Sequence, residues 1–527
     1  MKILLISMGG TPTTFGNCEG SNYKYGNPCL EYLTSYLRSK YDYCIKTLFL
    51  NKPVINEDYL NMIDTDYNVV GIFVDISYFE KALEVFKYVK HCNKNAITFS
   101  FGRVSSICTI ELLNRCPYID YAVLGDPEKP VGKIIESVVC GGKVVDESIA
   151  THNDFENKKL AKFSGDINRW PCFDYYELDS MEKNKYKIHC LSTKCDTCTG
   201  MCSFCWSRKQ VVEFKSVDRI FNEIEYVSRV YGIKNFYFID NNLFDFNRNG
   251  NKDRLMSLFL KVKELNRNLL FTALVNADSI VEADYDLYNL MKEIGFYSLF
   301  LGVDTGNNQD INLYNKRASL SDNITALKIL NKVGIWARYG FIFFNPFSSV
   351  ETVRDNYSFL CKVKSANIYH YGALRMIIFE KTKLKDIVQN SGLLGDDYYG
   401  IDMYNYHFQS DYCSECCEFI SKELIPLLEN FVPVQYLRLK KNYEMAKTID
   451  KSVIKYQNCI EAIESREFEL IKNYFYHIYV EQDIDYCRQN IHSFIDEIKN
   501  NAIDNQKLSI EFEKIWLLSN IQKETLK

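Results

Sequence analysis

Three cysteines in one short run, Cys198, Cys202 and Cys205, stand in the spacing C-x3-C-x2-C. Thiolates offered from a single loop can hold three irons of a cubane iron–sulfur cluster and leave the fourth iron without a protein ligand. Closed coordination is structural and incomplete coordination is catalytic, so an open iron marks a reaction centre. Cys195 allows a second arrangement, because Cys195-x2-Cys198 and Cys202-x2-Cys205 form a set of four that a tetrahedral zinc accepts. Zinc knuckles are usually about a dozen or more residues apart. Here three residues intervene, which favours the cluster.

The other polar candidates form no comparable set. The seven histidines are scattered, and no pair has the i, i+4 spacing of a helical metal site. Cys413, Cys416 and Cys417 form a second cysteine group, which reads as partly buried structure with an auxiliary metal site or a thiol hydrogen-atom donor as the functional alternative. His370 and Tyr371 read as packing unless they face a cavity.

These residues sit in a chain of 527, with 47% hydrophobic and 25% charged residues, enough for two to four domains with sizeable cores. A net charge of −5 gives no global basic field, so no nucleic-acid partner is expected. No apolar run has the length of a membrane span, and the N-terminal run Lys2–Met8 is too short for a signal sequence. The 19 cysteines therefore read as thiols of a reducing, cytoplasmic compartment.

Up to about residue 145, short apolar runs (Lys2–Met8, Cys44–Leu50, Asn68–Asp75, Ala96–Phe101, Ile119–Leu124) alternate with amphipathic stretches (Pro28–Ser39, Tyr78–His91, Ile110–Arg115, Lys129–Val139). Continuous apolar strands separated by helices mean a parallel sheet covered on both faces, a doubly wound Rossmann-like domain with its ligand at the strand C-termini. Gly9 and Gly10 let the first of those loops approach a ligand closely. Residues 146–185 read as a linker containing the arm Arg169–Phe173. A second series follows over 186–390, with strands at Lys187–Thr193, Lys234–Asp240, Leu269–Asn276, Tyr297–Val303, Ile335–Phe344 and Ala373–Phe379. Six strands with crossover helices predict a partial (β/α)6 barrel of TIM type, with the cysteine loop leaving its first strand at the reactive end. Residues 391–527 give only helical patterns and predict an all-helical C-terminal domain, either packing or a lid.

Residues 187–385 resemble the radical S-adenosylmethionine (SAM) superfamily, and in particular its cobalamin-dependent branch. The likeness rests on the cysteine motif with Phe204 before its last cysteine, on Ile233–Asn242, on Leu301-Gly-Val-Asp-Thr-Gly306 and on Tyr339–Pro346. It implies a [4Fe-4S] cluster on Cys198, Cys202 and Cys205, whose open iron chelates SAM. Phe204 is then near the adenine, Trp206 packs, and Asp240 and Asn242 lie near the SAM amino group. Asp304 and Thr305 lie near its ribose and methionine portions, where Asp304 replaces the family's Glu and is one methylene shorter. The N-terminal segments Pro28–Leu37, Val69–Phe73 and Ile119–Glu128 resemble the cobalamin-binding domain that precedes many such modules. That likeness implies ligand approach at Gly9, Gly10 and Gly102. In place of the family's Gly-Gly pair the chain has Phe101-Gly102-Arg103, and no D-x-H-x-x-G run offers a histidine to cobalt.

The resemblance implies reductive cleavage of SAM, with electrons from a donor such as flavodoxin or ferredoxin. The 5′-deoxyadenosyl radical then abstracts hydrogen from an unactivated carbon of a peptide or small-molecule substrate. With cobalamin bound, the expected outcome is C-methylation. The alternatives are cobalamin-free radical chemistry, such as peptide epimerisation or rearrangement, and a zinc-stabilised binding protein without catalysis.

Overall fold

The structure, a computed structural model, describes residues 1–7, 27–50, 60, 63, 66–156, 158–159, 161, 188–193, 198, 200–205, 214–245, 251–397, 403–428 and 433–521. Gly9, Gly10, Cys195, Trp206 and the arm at 169–173 lie outside these residues. The chain divides into two compact units, the second beginning in the main at Leu191.

In the first unit the apolar runs become β1 (Lys2–Ser7), β2 (Cys44–Phe49), β3 (Val69–Phe73), β4 (Ile97–Phe101) and β5 (Tyr121–Val123). Between them lie α1 (Pro28–Lys40), α2 (Phe79–Cys92), α3 (Arg103–Ile107) and α4 (Thr109–Arg115), and α5 (Glu128–Cys140) follows. Helix α1 starts where it does because Asn27 accepts the Leu30 N–H at 3.3 Å and Pro28 opens the first turn. The strand order is β2-β1-β3-β4-β5 in parallel, closed by the short antiparallel β6 (Ile149–Ala150). Ile3, Leu5, Val69, Ile72 and Phe99 are fully or almost fully buried, as strands covered on both faces require. Order reverses between β1 and β3, so the ligand-binding crevice of this fold class lies at their carboxyl ends.

The second unit carries a five-stranded sheet ordered β11-β10-β9-β8-β7, from β7 (Ile188–Leu191), β8 (Asn235–Phe238), β9 (Leu270–Asn276), β10 (Phe296–Asp304) and β11 (Trp336–Phe341). Strands β8 to β11 pair in parallel. Crossover helices α6 (Val217–Val230), α7 (Asn251–Glu264), α8 (Tyr285–Ile294) and α10 (Leu320–Val333) separate them, with the short α9 (Asn308–Leu313) after β10. A Ser319 capping box starts α10 and the left-handed Gly334 ends it. Stacked Phe236, Phe238, Phe271 and Phe296 hold one face of the sheet together.

The sixth barrel strand expected at Ala373–Phe379 does not join this sheet. Residues Ile368–Tyr371 form a 3₁₀ turn, and Gly372 turns the chain with φ of 129°. Phe343 and Phe344, just past β11, bond to it through Phe343 N to Leu374 O at 3.1 Å and Met376 N to Phe344 O at 2.7 Å. Ile378–Phe379 (β12) instead joins β13 (Leu394–Asp397) and β14 (Met403–Tyr406) in a three-stranded sheet, where the sequence shows no strand pattern beyond residue 390. Helix α11 (Val350–Lys362) follows β11 and α12 (Lys383–Asn390) follows β12; the region after β14 is helical, with α13 (Asp411–Glu418), α14 (Ile425–Leu428), α15 (Pro433–Ile449), α16 (Gln457–Tyr479), α17 (Ile484–Gln489) and α18 (Ile491–Ile521). A 3₁₀ turn, Lys451–Tyr456, leads into α16. Among the described residues no helix is long and apolar enough to cross a membrane.

Candidate functional site

The cysteine loop leaves the carboxyl end of β7 and is fastened at both its ends. Asp240, just past β8, is 5% exposed, and its two carboxylate oxygens accept the Thr193 N–H at 3.1 Å each. The Ser192 hydroxyl donates to the same carboxylate at 3.2 Å. Arg254 of α7 reaches the same point. It donates to Lys215 O at 3.0 Å, to Thr193 O at 3.4 Å and to Thr193 Oγ1 at 3.2 Å, while Asn251 Oδ1 accepts at 2.8 Å. Its guanidinium lies over the Phe214 ring at 4.5 Å, and Lys215 N donates to Thr193 O at 2.9 Å. Residues 193 and 215 are thus tied together. Burial draws the Arg254 pKa down to about 10, against the opposing pull of Asp240, so it stays charged at neutral pH.

The far side of the loop is docked on the end of α9. Ser203 N donates to Tyr314 O at 2.8 Å, Ser203 Oγ to Leu313 O at 2.7 Å, and Asn315 Nδ2 to Met201 O at 2.8 Å. Phe204 stands edge-on to Tyr314 at 5.5 Å, in the apolar cluster with Met376 and Ile378. Its ring is therefore partly used in packing.

Cys198 and Cys202 turn toward Gly200. Gly200 N donates to Cys198 Sγ at 3.3 Å, and a Cβ on Gly200 would stand 3.1 Å from that sulfur and 3.8 Å from Cys202 Sγ. Burial pushes the Cys202 thiol up to about 11, with Lys316 opposing. Cys205 is exposed. Soft donors on a short loop with an N–H aimed at a sulfur fit a cluster held by thiolates. Among the described residues no three His, Cys, Asp or Glu side chains close on one point as ligands of a single metal ion would.

Asp304 ends β10 with a left-handed φ of 64°. Its carboxylate is engaged by Lys316 in an ion pair whose side chains are only 7% and 16% exposed, Lys and Asp respectively, and Lys316 Nζ also donates to Gly302 O at 3.0 Å. Thr305 is fully buried, and its hydroxyl belongs to a closed polar network. It lies 3.1 Å from Asp310 Oδ2 and 3.0 Å from Asn356 Oδ1, while Asn307 and Asn345 donate to Asp310 at 2.6 and 2.8 Å. The Thr305 hydroxyl is thus engaged within the turn after β10. We expect Thr305→Val to cost about 1–3 kcal/mol in urea unfolding and to leave SAM affinity unchanged. Weaker SAM binding at unchanged stability would return the hydroxyl to the ligand.

Asn242 is likewise a turn residue. It accepts Asn276 N at 3.1 Å and donates to Ser279 Oγ at 3.4 Å. His370 is buried between Tyr339 O at 3.0 Å and Ser365 Oγ at 2.8 Å, burial lowers its pKa to about 4 so that it is neutral at pH 7, and it is among the residues lining a cavity beside β11. Tyr371 donates to Ser365 O at 3.1 Å from a fully buried position. Cys413, Cys416 and Cys417 are buried on one short helix, and burial raises all three thiols, which leaves them protonated. A cavity of about 720 Å³ lies between β11 and helices α15 and α16, lined by Phe300, Trp336, Arg338, Tyr436 and Tyr443, and none of the three cluster cysteines lines it.

In the first unit Gly102 has φ of 102°, and a Cβ there would meet the Phe73 ring at 2.7 Å and Val74 O at 3.2 Å. Both the positive φ and the close packing call for a glycine there. The Phe101 ring is fully buried against Phe73 and Phe99, so it does not crowd the loop that a corrinoid would approach. The described ends of β1, β3 and β4 are compatible with a ligand along the sheet edge.

Sequence reasoning missed Arg254, Lys316 and Asn356. A helical arginine, a lysine ten residues past a glycine motif and a mid-helix asparagine carry no local signal.

Residues 193–360 match the model of the radical SAM superfamily. An uncharacterised methyltransferase of Pyrococcus horikoshii is 24% identical over 374 residues, which is 69% of this chain and 78% of that protein. The 4′-phospho-dehydrooxetanocin synthase of Priestia megaterium is 22% identical over 361 residues, 62% of this chain and 47% of the synthase. Among solved structures, the cobalamin-dependent SAM radical enzyme OxsB with aqua-cobalamin and SAM bound matches all of this chain and 81% of its own, with a TM-score of 0.70 and 16% identity. The radical SAM methyltransferase TsrM of Kitasatospora setae, solved with cobalamin and a [4Fe-4S] cluster, covers 69% of this chain and 71% of its own, with a TM-score of 0.54 and 13% identity.

Proposed function

We infer, from a chain that belongs to the radical SAM superfamily in the branch with an N-terminal cobalamin-binding-like domain, that this enzyme uses SAM and cobalamin together to functionalise an unactivated carbon, most directly by C-methylation. The observation that carries this reading is the fold match along the whole chain to an enzyme solved with both molecules bound. When bound on Cys198, Cys202 and Cys205, a [4Fe-4S] cluster supplies the electron that cleaves SAM to methionine and a 5′-deoxyadenosyl radical. The chain's own work is placement. Asp240 and Arg254 hold the ends of the cysteine loop, Tyr314 and Asn315 hold its middle, and Lys316 with Asp304 adds a neutralised pair beside it. The first unit would take cobalamin at the carboxyl ends of β1 and β3, without a histidine on cobalt, and the substrate is proposed to be a peptide or small natural product.

Product stoichiometry tests the reaction. Methyl transfer consumes one SAM as the radical source and a second to restore the methyl group. One 5′-deoxyadenosine and one S-adenosylhomocysteine therefore accumulate per methylated product. A second reading, radical rearrangement or oxidation without methyl transfer, is favoured by the name of the Priestia relative, a synthase. It yields 5′-deoxyadenosine alone. Cobalamin binding is read separately. Protein reconstituted with hydroxocobalamin should keep corrin absorption through gel filtration, and its cobalt(II) EPR signal should lack superhyperfine splitting from a histidine nitrogen. Loss of all corrin on the column would transfer the assignment to cobalamin-free radical chemistry.

A further inference from the structure

We propose that Lys316 and Asp304 form a charge pair that sets the reduction potential of the cluster held by the cysteine loop, Lys316 raising it and Asp304 lowering it. The inference rests on the cluster assignment above and deepens it.

Lys316 is placed by its neighbours. Tyr314 and Asn315 bond to Ser203 and Met201, the two residues that flank Cys202, at 2.8 Å each. The next residue in the chain is Lys316, close enough for its charge to act on Cys202. Its ammonium is turned inward onto Gly302 O and the Asp304 carboxylate at the end of β10. Lys316 and Cys202 also interact electrostatically in both directions, as do Cys202 and Asp304.

A charge that is 7% exposed acts through a low effective dielectric and is poorly screened by salt. Reduction adds one electron to the cluster from a one-electron donor of the ferredoxin or flavodoxin class. No bond forms or breaks, and no proton has to move. A cation near a cysteine ligand favours the more negative, reduced state, and a carboxylate disfavours it. In the wild type the two largely cancel, and removal of either exposes the other. Arg317 offers an internal comparison. It pairs with Asp278 and senses Cys198, but its side chain is 39% exposed. Water and salt should mute its influence.

The test is a potentiometric titration of the reconstituted cluster followed by its reduced EPR signal. It uses the full chain without substrate, after iron content and cluster absorption have been matched. Lys316→Met should move the midpoint to more negative potential and Asp304→Asn to more positive potential. The double variant should return toward the wild-type value, and Arg317→Met should shift it less than Lys316→Met. Shifts of the two single variants in the same direction, or no shift in either, overturn the proposal, since a structural lesion has no reason to change sign with charge. If the wild-type protein assembles no cluster, the failure belongs to the cluster assignment and shows in the absorption spectrum before any titration.

Discussion

Cys198→Ala, Cys202→Ala and Cys205→Ala should each abolish 5′-deoxyadenosine formation, with loss of the broad iron–sulfur absorption, while Cys195→Ala retains both. Each of the three thiolates serves a different corner of a cubane, so none can stand in for another. Cys202 has the most to lose. It is held between two docked neighbours, and burial pushes its thiol up to about 11, so a thiolate there is stabilised by coordination. Serine substitution should do little better, because oxygen is a poor substitute for a soft ligand. The measurement is SAM cleavage under dithionite together with iron and sulfide content. Retained cleavage by Cys202→Ala would remove the cluster assignment. Loss of the cluster in Cys195→Ala would reinstate a four-cysteine site.

Arg254→Ala should be the most damaging change outside the cysteines. The side chain bridges Thr193 and Lys215, so its removal leaves only their mutual backbone bond to join them and leaves Thr193 O and Lys215 O short of a charged donor. We expect a loss on the order of 2–4 kcal/mol in unfolding free energy. Cluster retention during gel filtration should fall by roughly 10–100-fold, as changes just outside a metal's ligands commonly cause. Arg254→Lys keeps the charge but not the fork that spans two acceptors, so it should recover stability better than cluster retention. An Arg254→Ala protein that is destabilised yet holds its cluster normally would reduce the residue to a structural one.

Local information located the cysteines, because a metal loop on consecutive residues needs no tertiary contact to be recognised. The alternating apolar runs gave the order of strands and helices up to β11 for a similar reason: a strand covered on both faces must be apolar at every position, and that pattern is visible without knowing its partners. The sixth strand failed on this very point. Ala373–Phe379 is apolar enough for a strand, but the 3₁₀ turn at Ile368–Tyr371 and the positive φ of Gly372 decide where it goes. Strands β13 and β14 were missed because short, half-polar strands carry little periodicity and form only by pairing.

The site divides along the same line. Asp240 lies at its strand end as the residue order implies, yet its partner, Thr193, is 47 positions away in sequence. Thr305 and Asn242 look like ligand contacts in a linear motif. Their hydroxyl and amide are already engaged, by Asn356 from a following helix, and by Asn276 at the end of the next strand and Ser279 in the turn after it. Asp304 has its charge met by Lys316, and the cysteine loop is closed by Arg254. Residue type and spacing thus determined which atoms can bind a cluster. Only the tertiary structure decided which polar groups remain for a ligand, because a buried donor or acceptor goes to whatever partner the fold brings within reach, and leaving it unmade costs more than any motif can dictate.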